Sequence, residues 1–356
     1  MSSELALRLA FKTAKIVLSA LNLLWLSTAA YGFPELIRSG YQNCLSCHYA
    51  SNGGGPINAY GRTIAGAHLS TWGNENKGGA FYGLADFAPL FDVAGDYRYL
   101  VHAFDDASDP HGVRIHQRFA MQKEISLIFT PSENVALVAS GGLYGYEPTD
   151  LEYRRYFAVV RLGGLSLRLG RFIPAFGYNI ADHTKSIKEL FGQGSETLNG
   201  EISYSSKWAQ ITATRILSGN SSITTGQRPI VSQKDARDGV AIALDIPITK
   251  GVQLGGFASQ LADNETVQTY SGFHGFAGNE HVYALAEYQA HPHNAYRAYG
   301  EVGWQPLRGI HIKAEYNATE TTKECFATVV LYPYAHFELT GSMSSLNRIF
   351  VFHYYL

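Results

Sequence analysis

The stretch GVRIHQRFAMQKEISLIF, residues 112–129, alternates apolar and polar side chains along its length. One set of positions holds Val113, Ile115, Phe119, Met121, Ile125 and Leu127. The other set holds Arg114, His116, Arg118, Gln122 and Glu124. Successive strand residues point to opposite faces, so this period of two predicts a long β-strand with one apolar face and one charged face.

The same alternation recurs from about Leu90 to the last residue. In GIHIKAEYNA, residues 309–318, the apolar set is Ile310, Ile312, Ala314 and Tyr316, and the polar set is His311, Lys313, Glu315 and Asn317. The pattern predicts about sixteen strands, at residues 90–101, 112–129, 133–146, 152–162, 165–173, 199–207, 208–217, 238–247, 251–261, 267–276, 280–291, 295–305, 309–318, 323–333, 335–343 and 348–356.

Charged residues on one strand face and apolar residues on the other are typical of a membrane barrel with a wet lumen. Lipid offers no hydrogen bonds, so strands can span it only if every edge is paired. An even strand number also fits a single-chain barrel. We therefore predict an all-β fold, a transmembrane antiparallel β-barrel of about sixteen strands. The alternative is a secreted, soluble β-sandwich.

The composition agrees with a large surface that does not face water. Charged residues make up 16% of the chain, below the roughly 25% of a soluble domain. The formal net charge of −2 argues against a nucleic-acid partner, whose binding surface would be clustered and basic. The final stretch RIFVFHYYL, residues 348–356, places Phe350, Phe352, Tyr354 and Leu356 on one face, as closing strands of outer-membrane barrels do.

The first 32 residues have the order of a secretory signal. Three basic residues precede the apolar stretch IVLSALNLLWL, residues 16–26, and small residues follow at Ala30 and Gly32. We predict cleavage after Gly32, with Ala30 as the alternative, and export to the outer membrane of a Gram-negative bacterium. A retained membrane anchor is the other interpretation.

Two of the three cysteines lie in the motif C-x-x-C-H, formed by Cys44, Cys47 and His48. This spacing lets two thiols bond to the two vinyl groups of a haem while the adjacent imidazole binds the iron. A redox-active disulfide is an alternative, although the βαβ context of such motifs is missing. A zinc site would need four ligands. The motif predicts one covalently bound haem c, with His48 as the proximal iron ligand.

Other haem contacts are less determined by the sequence. His68 could be the distal ligand, or an ordinary surface histidine; a five-coordinate or water-ligated iron is a third option. Met121 and Met343 fall in predicted strands. Tyr60 could pack on the macrocycle, and Arg62 could pair with a haem propionate; the alternative is a short helix start with a surface arginine.

The longest irregular stretch in the predicted barrel runs from about Pro174 to Leu198. Long loops of this kind are usually functional or disordered. Asp182 and His183 could bind a metal ion or line a constriction, and an incidental pair in a surface loop is the alternative.

A signal, one C-x-x-C-H, a glycine-rich stretch, the sequence AYGR at residues 59–62 and then a barrel together resemble the fused monohaem cytochrome–porins of the outer membrane. The resemblance implies three parts: the signal at 1–32, a monohaem cytochrome c segment at 33–80 acting as a plug, and a porin-like barrel at 81–356. Its known members include iron-oxidising outer-membrane cytochromes.

The function implied is electron transfer through the haem, from ferrous iron or another extracellular donor or acceptor to a periplasmic c-type cytochrome or other redox protein. Such a chain is an electron-transfer protein, or an extracellular metal oxidoreductase, rather than a typical enzyme. Two alternatives are a diffusion porin whose haem segment is a structural or sensory plug, and a peroxidase-like haem enzyme. No distal acid–base pair is recognisable for the last.

Overall fold

A computed structural model describes residues 34–42, 44–72, 90–105, 114–146, 150–178, 180, 185–188, 190, 196–218, 223–224, 238–262 and 266–355. The predicted signal at 1–32 lies outside these residues. Within them, no helix combines the length and the hydropathy needed to cross a membrane.

The described residues form two α-helices, three short 3₁₀ helices and seventeen strands. The helices are α1 (Pro34–Ile37) and α2 (Ala59–His68), with 3₁₀ turns at Cys44–Ser46, Ser186–Lys188 and Pro292–Asn294. The strands are β1 (Phe91–Asp105), β2 (Arg114–Ser132), β3 (Val135–Tyr144), β4 (Glu152–Leu162), β5 (Leu165–Phe172), β6 (Thr197–Ser205), β7 (Gln210–Ser218), β8 (Ile223–Thr224), β9 (Asp238–Thr249), β10 (Val252–Ala262), β11 (Val267–Gly278), β12 (Val282–Ala290), β13 (Tyr296–Leu307), β14 (Ile310–Thr319), β15 (Lys323–Leu331), β16 (Phe337–Met343) and β17 (Asn347–Tyr355).

Sixteen of these strands close into an antiparallel barrel. Each strand pairs with its neighbours in the chain, and β1 pairs with both β2 and β17, so no edge of the wall is left open. β7 pairs directly with β9, while the two-residue β8 pairs with the start of β4. The predicted barrel and its strand number are confirmed.

The two faces of the wall differ as the alternation predicts. On β14, Ile312 and Tyr316 are 41% and 42% exposed on the outside, whereas His311 and Glu315 are buried on the lumen side. Large apolar side chains are exposed around the outer wall, among them Ile125, Leu127, Leu169, Ile242, Leu254, Phe273, Val302 and Phe350. A closed wall of this kind has an apolar belt outside and a polar lumen inside.

The prediction that the apolar residues of β2 share one face is wrong for the half of the strand before Met121. The pairing with β1 shifts by one residue between Arg98 and Tyr99, which leaves Met121 as an extra residue in β2. Because side chains alternate with a period of two, one extra residue exchanges the faces beyond it. Phe119 and Ile115 therefore lie on the opposite face from Ile125 and Leu127, contrary to the sequence prediction.

The two ends of the barrel have different connections. One end, called the short-turn end, carries turns at residues 133–134, 163–164, 206–209, 250–251, 279–281, 308–309 and 332–336, together with the start of β1 and the end of β17. The other end, called the long-loop end, carries the longest connections, which include residues 173–196 between β5 and β6. In outer-membrane barrels the short turns face the periplasm.

Candidate functional site

The C-x-x-C-H motif forms one tight turn. The amides of Cys47 and His48 both donate to the carbonyl oxygen of Cys44, at 3.2 and 2.9 Å. Both thiols are free of disulfide bonds. Cys47 and His48 are buried, while Cys44 is partly accessible from the lumen. Burial of the Cys44 thiol within the protein, reinforced by the nearby negative charge of Asp245, raises its pKa.

Helix α2 packs directly on this turn. Its N-cap, Asn58, accepts a hydrogen bond from the Gly61 amide at 2.8 Å and donates to the Ser46 carbonyl oxygen at 2.7 Å. A Cβ atom on Gly61 would lie 2.4 Å from the Ile57 side chain and 2.6 Å from the Cys47 carbonyl oxygen. Only glycine lets the helix approach the turn this closely.

The other residues of AYGR lie away from the motif. Arg62 is buried, forms an ion pair with Asp92 on β1 and donates to the Ile57 carbonyl oxygen at 3.1 Å. Tyr60 is 42% exposed and does not line the lumen cavity described below. Arg62 thus binds the barrel wall, and the predicted haem contacts of Tyr60 and Arg62 stay predictions.

The N-terminal segment, defined here as residues 34–72, contacts the wall around the whole short-turn end. Arg161 on β4 donates to the His48 carbonyl oxygen at 2.8 Å, and Ser51 donates to Glu201 on β6 at 2.8 Å. Further contacts are Gln210 with Ser51, Gln42 with Thr249 and Val252, Arg38 with Gln305, Arg308 with Ala67 and Thr71, Thr71 with Tyr332, and Trp72 with Pro333. The segment is therefore fixed from many directions.

The predicted distal ligands lie apart from the motif. His68 is exposed at the end of α2, where its Nε2 lies 3.2 Å from the Tyr41 hydroxyl. Met343 is 55% exposed, and Met121 is the extra residue of β2. Among the described residues, no group of three or more His, Cys, Asp or Glu is placed to hold a metal ion.

The β5–β6 loop spans residues 173–196, of which the structure describes 173–178, 180, 185–188, 190 and 196, and several of these line the lumen. Lys185 forms an ion pair with Glu315 on β14 at 3.2 Å, and the Ser186 amide donates to Asn317 at 2.9 Å. The Tyr178 amide donates to Glu287 on β12 at 2.6 Å. These contacts tie the described part of the loop to β12 and β14. The predicted Asp182–His183 site lies outside the described residues.

A cavity lies between the N-terminal segment and the β5–β6 loop, which meet where the Asn52 side chain donates to the Pro174 carbonyl oxygen at 3.2 Å. Its volume is about 300 Å³, at the lower end of the roughly 300–1,000 Å³ of ordinary ligand pockets. Charged side chains of both signs project into it from the wall, including Asp96, Arg98, Glu124, Arg155, Arg168, Asp245, Glu301, Lys313, Glu315 and Glu338. Cys44, His48 and Gly53–Gly55 border it from the N-terminal segment.

These residues fit a covalently attached haem. Two unbridged thiols and an imidazole share one turn, and Cys44 and His48 border the cavity. The three glycines at 53–55 all have positive φ, and a Cβ on Gly53 would lie 3.7 Å from the Cys44 sulfur. The chain beside the thiol is thus free of side chains where a bulky group would attach.

Sequence reasoning gave no role to a row of residues across β9, β10 and β11. Asp245 is opposite Gly255, and Gly255 is opposite His274. The His274 Nε2 lies 2.7 Å from an Asp245 carboxylate oxygen, above the glycine. In the sequence each residue fits an ordinary lumen-facing position, and only the strand pairing brings them together.

No protein-family model and no curated protein matches this chain. Solved structures do resemble it. A Rhodopseudomonas blastica porin mutant has a TM-score of 0.55 at 9% identity, with a match that covers 75% of this chain and 100% of the porin. Salmonella typhi OmpF, in complex with daunomycin, has a TM-score of 0.56 at 10% identity over 75% of this chain and 97% of OmpF.

A Vibrio cholerae OmpT variant that lacks loop L8 has a TM-score of 0.54 at 9% identity, over 75% of this chain and 99% of OmpT. At such low identity the likeness concerns the fold alone. The chain has the fold of a porin barrel.

Proposed function

We propose that this protein is an outer-membrane barrel that carries a c-type haem at its periplasmic mouth and transfers electrons through it. The observation that carries the proposal is the turn of Cys44, Cys47 and His48, which has two unbridged thiols and borders a cavity inside a closed barrel. A bound haem supplies reversible one-electron chemistry.

The outer wall supports a membrane location. Its exposed side chains are largely aliphatic and aromatic, while charged side chains face the lumen. Every wall strand is paired on both sides, which lipid requires of any strand that crosses it. The short turns then face the periplasm, so the N-terminal segment lies where a periplasmic redox protein can reach it.

The chain's own residues position the site. Gly61 lets α2 pack closely on the Cys47 turn, and Asn58 caps the helix there. Arg161 donates a hydrogen bond to the His48 carbonyl oxygen. Ser51 binds Glu201, and Arg62 binds Asp92, so the motif is tied to separate strands of the wall. A haem attached to a turn fixed in this way would keep one orientation relative to the barrel axis.

Covalent haem is tested first. We expect the protein purified from outer membranes to retain haem on a denaturing gel, and Cys47→Ala to lose it. Cys325→Ala is the matched control, since Cys325 is exposed on β15, away from the motif. Haem retained at normal stoichiometry by Cys47→Ala would contradict the attachment.

Electron transfer is tested separately in liposomes that enclose a redox dye. We expect an external reductant to reduce the dye through the wild-type protein and much more slowly through the Cys44→Ser/Cys47→Ser double variant. An embedded protein that holds haem but transfers no electrons with any donor tried, ferrous iron included, would refute the conduit.

The charged lumen and the porin-like fold support a second candidate, a diffusion porin in which the haem segment is a structural or sensory plug. In that case planar-bilayer conductance would be the same with and without haem, and ions would be the transported species. Two measurements on the double variant without haem distinguish the functions. A porin keeps its ion conductance, whereas an electron conduit loses electron transfer and does not require an open aqueous path at all.

A further inference from the structure

The row of Asp245, Gly255 and His274 has the construction of a binding site. A Cβ on Gly255 would lie 2.1 Å from the His274 Nε2 and 2.8 Å from an Asp245 oxygen. The glycine therefore leaves the space in which the imidazole and the carboxylate meet. Metal-binding histidines typically have their other ring nitrogen bonded to a carboxylate in this way.

The second nitrogen of His274, Nδ1, is the one that a ligand would have to reach. Among the described residues, Nδ1 of His274 is buried and has no hydrogen-bond partner. The residue is 4% exposed and lines the lumen cavity. Its ring is held by Phe257, stacked at 5.7 Å between centroids, and by Tyr178 of the β5–β6 loop at 4.2 Å. A buried polar atom without a partner is costly, so a bound group would satisfy it.

The position of His274 suits a group attached to the cysteine turn. The charge of Asp245 is close enough to influence the Cys44 thiol. The His48 carbonyl oxygen is bound by β4, whereas His274 is on β11, six steps around the sixteen-strand wall through β5, β6, β7, β9 and β10. His48, on the N-terminal segment, and His274, on the wall, thus border one cavity.

We propose that His274, positioned by Asp245, is the distal ligand of the iron in the haem that Cys44 and Cys47 hold. This inference rests on the proposed haem attachment. It replaces His68 in that role, because His68 is exposed, bonds to Tyr41 and does not line the cavity. It also makes the β5–β6 loop, through Tyr178, part of the haem surroundings.

The test is the spin state of the ferric haem, followed by optical and electron paramagnetic resonance spectra of the full-length protein. We expect a low-spin, bis-histidine spectrum for the wild type. His274→Ala should retain covalent haem and become high-spin, and free imidazole should restore the low-spin spectrum. His68→Ala is the matched control and should stay low-spin.

Two further variants keep the test informative if His274→Ala folds poorly. His274→Met should fold with a side chain of similar volume and give a spectrum of histidine–methionine ligation. Gly255→Ala should displace His274 and yield a mixed-spin spectrum. Heat-modified gel mobility reports whether each barrel is folded.

The outcomes separate the two proposals. Wild-type protein without covalent haem refutes the attachment, and the ligand assignment with it. Covalent haem that is high-spin in the wild type, or that stays low-spin in both His274 variants, refutes the ligand assignment alone.

Discussion

Two parts of the chain enter the lumen, one from each end, and they are fixed in different ways. The N-terminal segment is bound around the whole rim, from Asp92 on β1 to Pro333 after β15. The described residues of the β5–β6 loop bind an arc of the wall, from Phe257 on β10 to Phe326 on β15, and Glu196 at the end of the loop pairs with Arg155 on β4. Contacts around a whole rim close a mouth more completely than contacts along an arc of the wall. We therefore expect the N-terminal segment to limit flow more than the loop does.

Removal of residues 34–72 gives the largest expected effect. The deletion takes away the contacts with Arg161, Glu201, Gln210 and the short turns, and it leaves the wall pairing intact. Single-channel conductance in planar bilayers should rise several-fold. An unchanged conductance in a barrel that still shows heat-modified gel mobility would mean that the segment does not close the mouth.

Gly61→Ala tests how firmly that segment is assembled. In a helix interior alanine is normally favoured over glycine by about 1 kcal/mol. Here the added Cβ would clash with Ile57 and the Cys47 carbonyl oxygen, and such overpacking costs about 1–3 kcal/mol. We expect faster proteolysis of the segment and a lower yield of covalent haem.

The control for this variant is Gly300→Ala on β13, where a Cβ would meet no atom within 4 Å. It should behave like the wild type. Equal effects of the two substitutions would show that the packing of α2 on the cysteine turn is not what matters.

Lys185→Met tests the attachment of the loop to β14. The Lys185 side chain is buried and pairs with Glu315. Removal of one partner of a buried pair typically costs about 3–5 kcal/mol. Glu315 keeps hydrogen bonds from Tyr299 and Thr328, so we expect the loop's attachment to weaken by about 3 kcal/mol, the low end of that range. A loosened loop moves in the lumen, and we expect this motion to increase the open-channel current noise. The double variant Lys185→Met/Glu315→Gln should show less current noise than Lys185→Met alone, because no unpaired carboxylate remains. Current noise in Lys185→Met equal to that of the wild type would contradict the attachment.

The smallest expected effect is a pH dependence of ion selectivity. Burial lowers the pKa of Lys188, which lines the cavity beside the loop, to about 8. The lysine is therefore charged below about pH 8 and neutral above it, whereas an ordinary lysine stays charged to a higher pH. Reversal-potential measurements should show the preference for anions fall as the pH rises through 8. Lys188→Gln should remove this step, and a step that persists would assign it to another group.

The strands could be predicted from sequence because alternation is a local property of each strand. The extra residue at Met121 could not, since the alternation lapses there, with three apolar residues at 119–121 followed by three polar residues at 122–124, and only the pairing with β1 shows which residue is extra. The contacts of the N-terminal segment were equally hidden. Arg62 and Asp92 are thirty residues apart, and nothing in either stretch specifies the other.

The candidate site divides in the same way. Cys44, Cys47 and His48 are recognisable because their chemistry depends on close spacing along the chain. Asp245 and His274 are brought together by two strand pairings. A predicted register for β9, β10 and β11 would have aligned Asp245 and His274 with Gly255. A glycine paired with an acid on one strand and a histidine on the other is the pattern that could have indicated this site.

The contacts around the rim also constrain biogenesis. The N-terminal segment precedes β1 in the chain, yet its partners extend to the turn after β15, almost the last part to be synthesised. Its bonds to opposite sides of the wall can be complete only when the first and the last strands are both in place. The segment therefore reaches its full set of contacts only once β1 has paired with β17 and the barrel has closed.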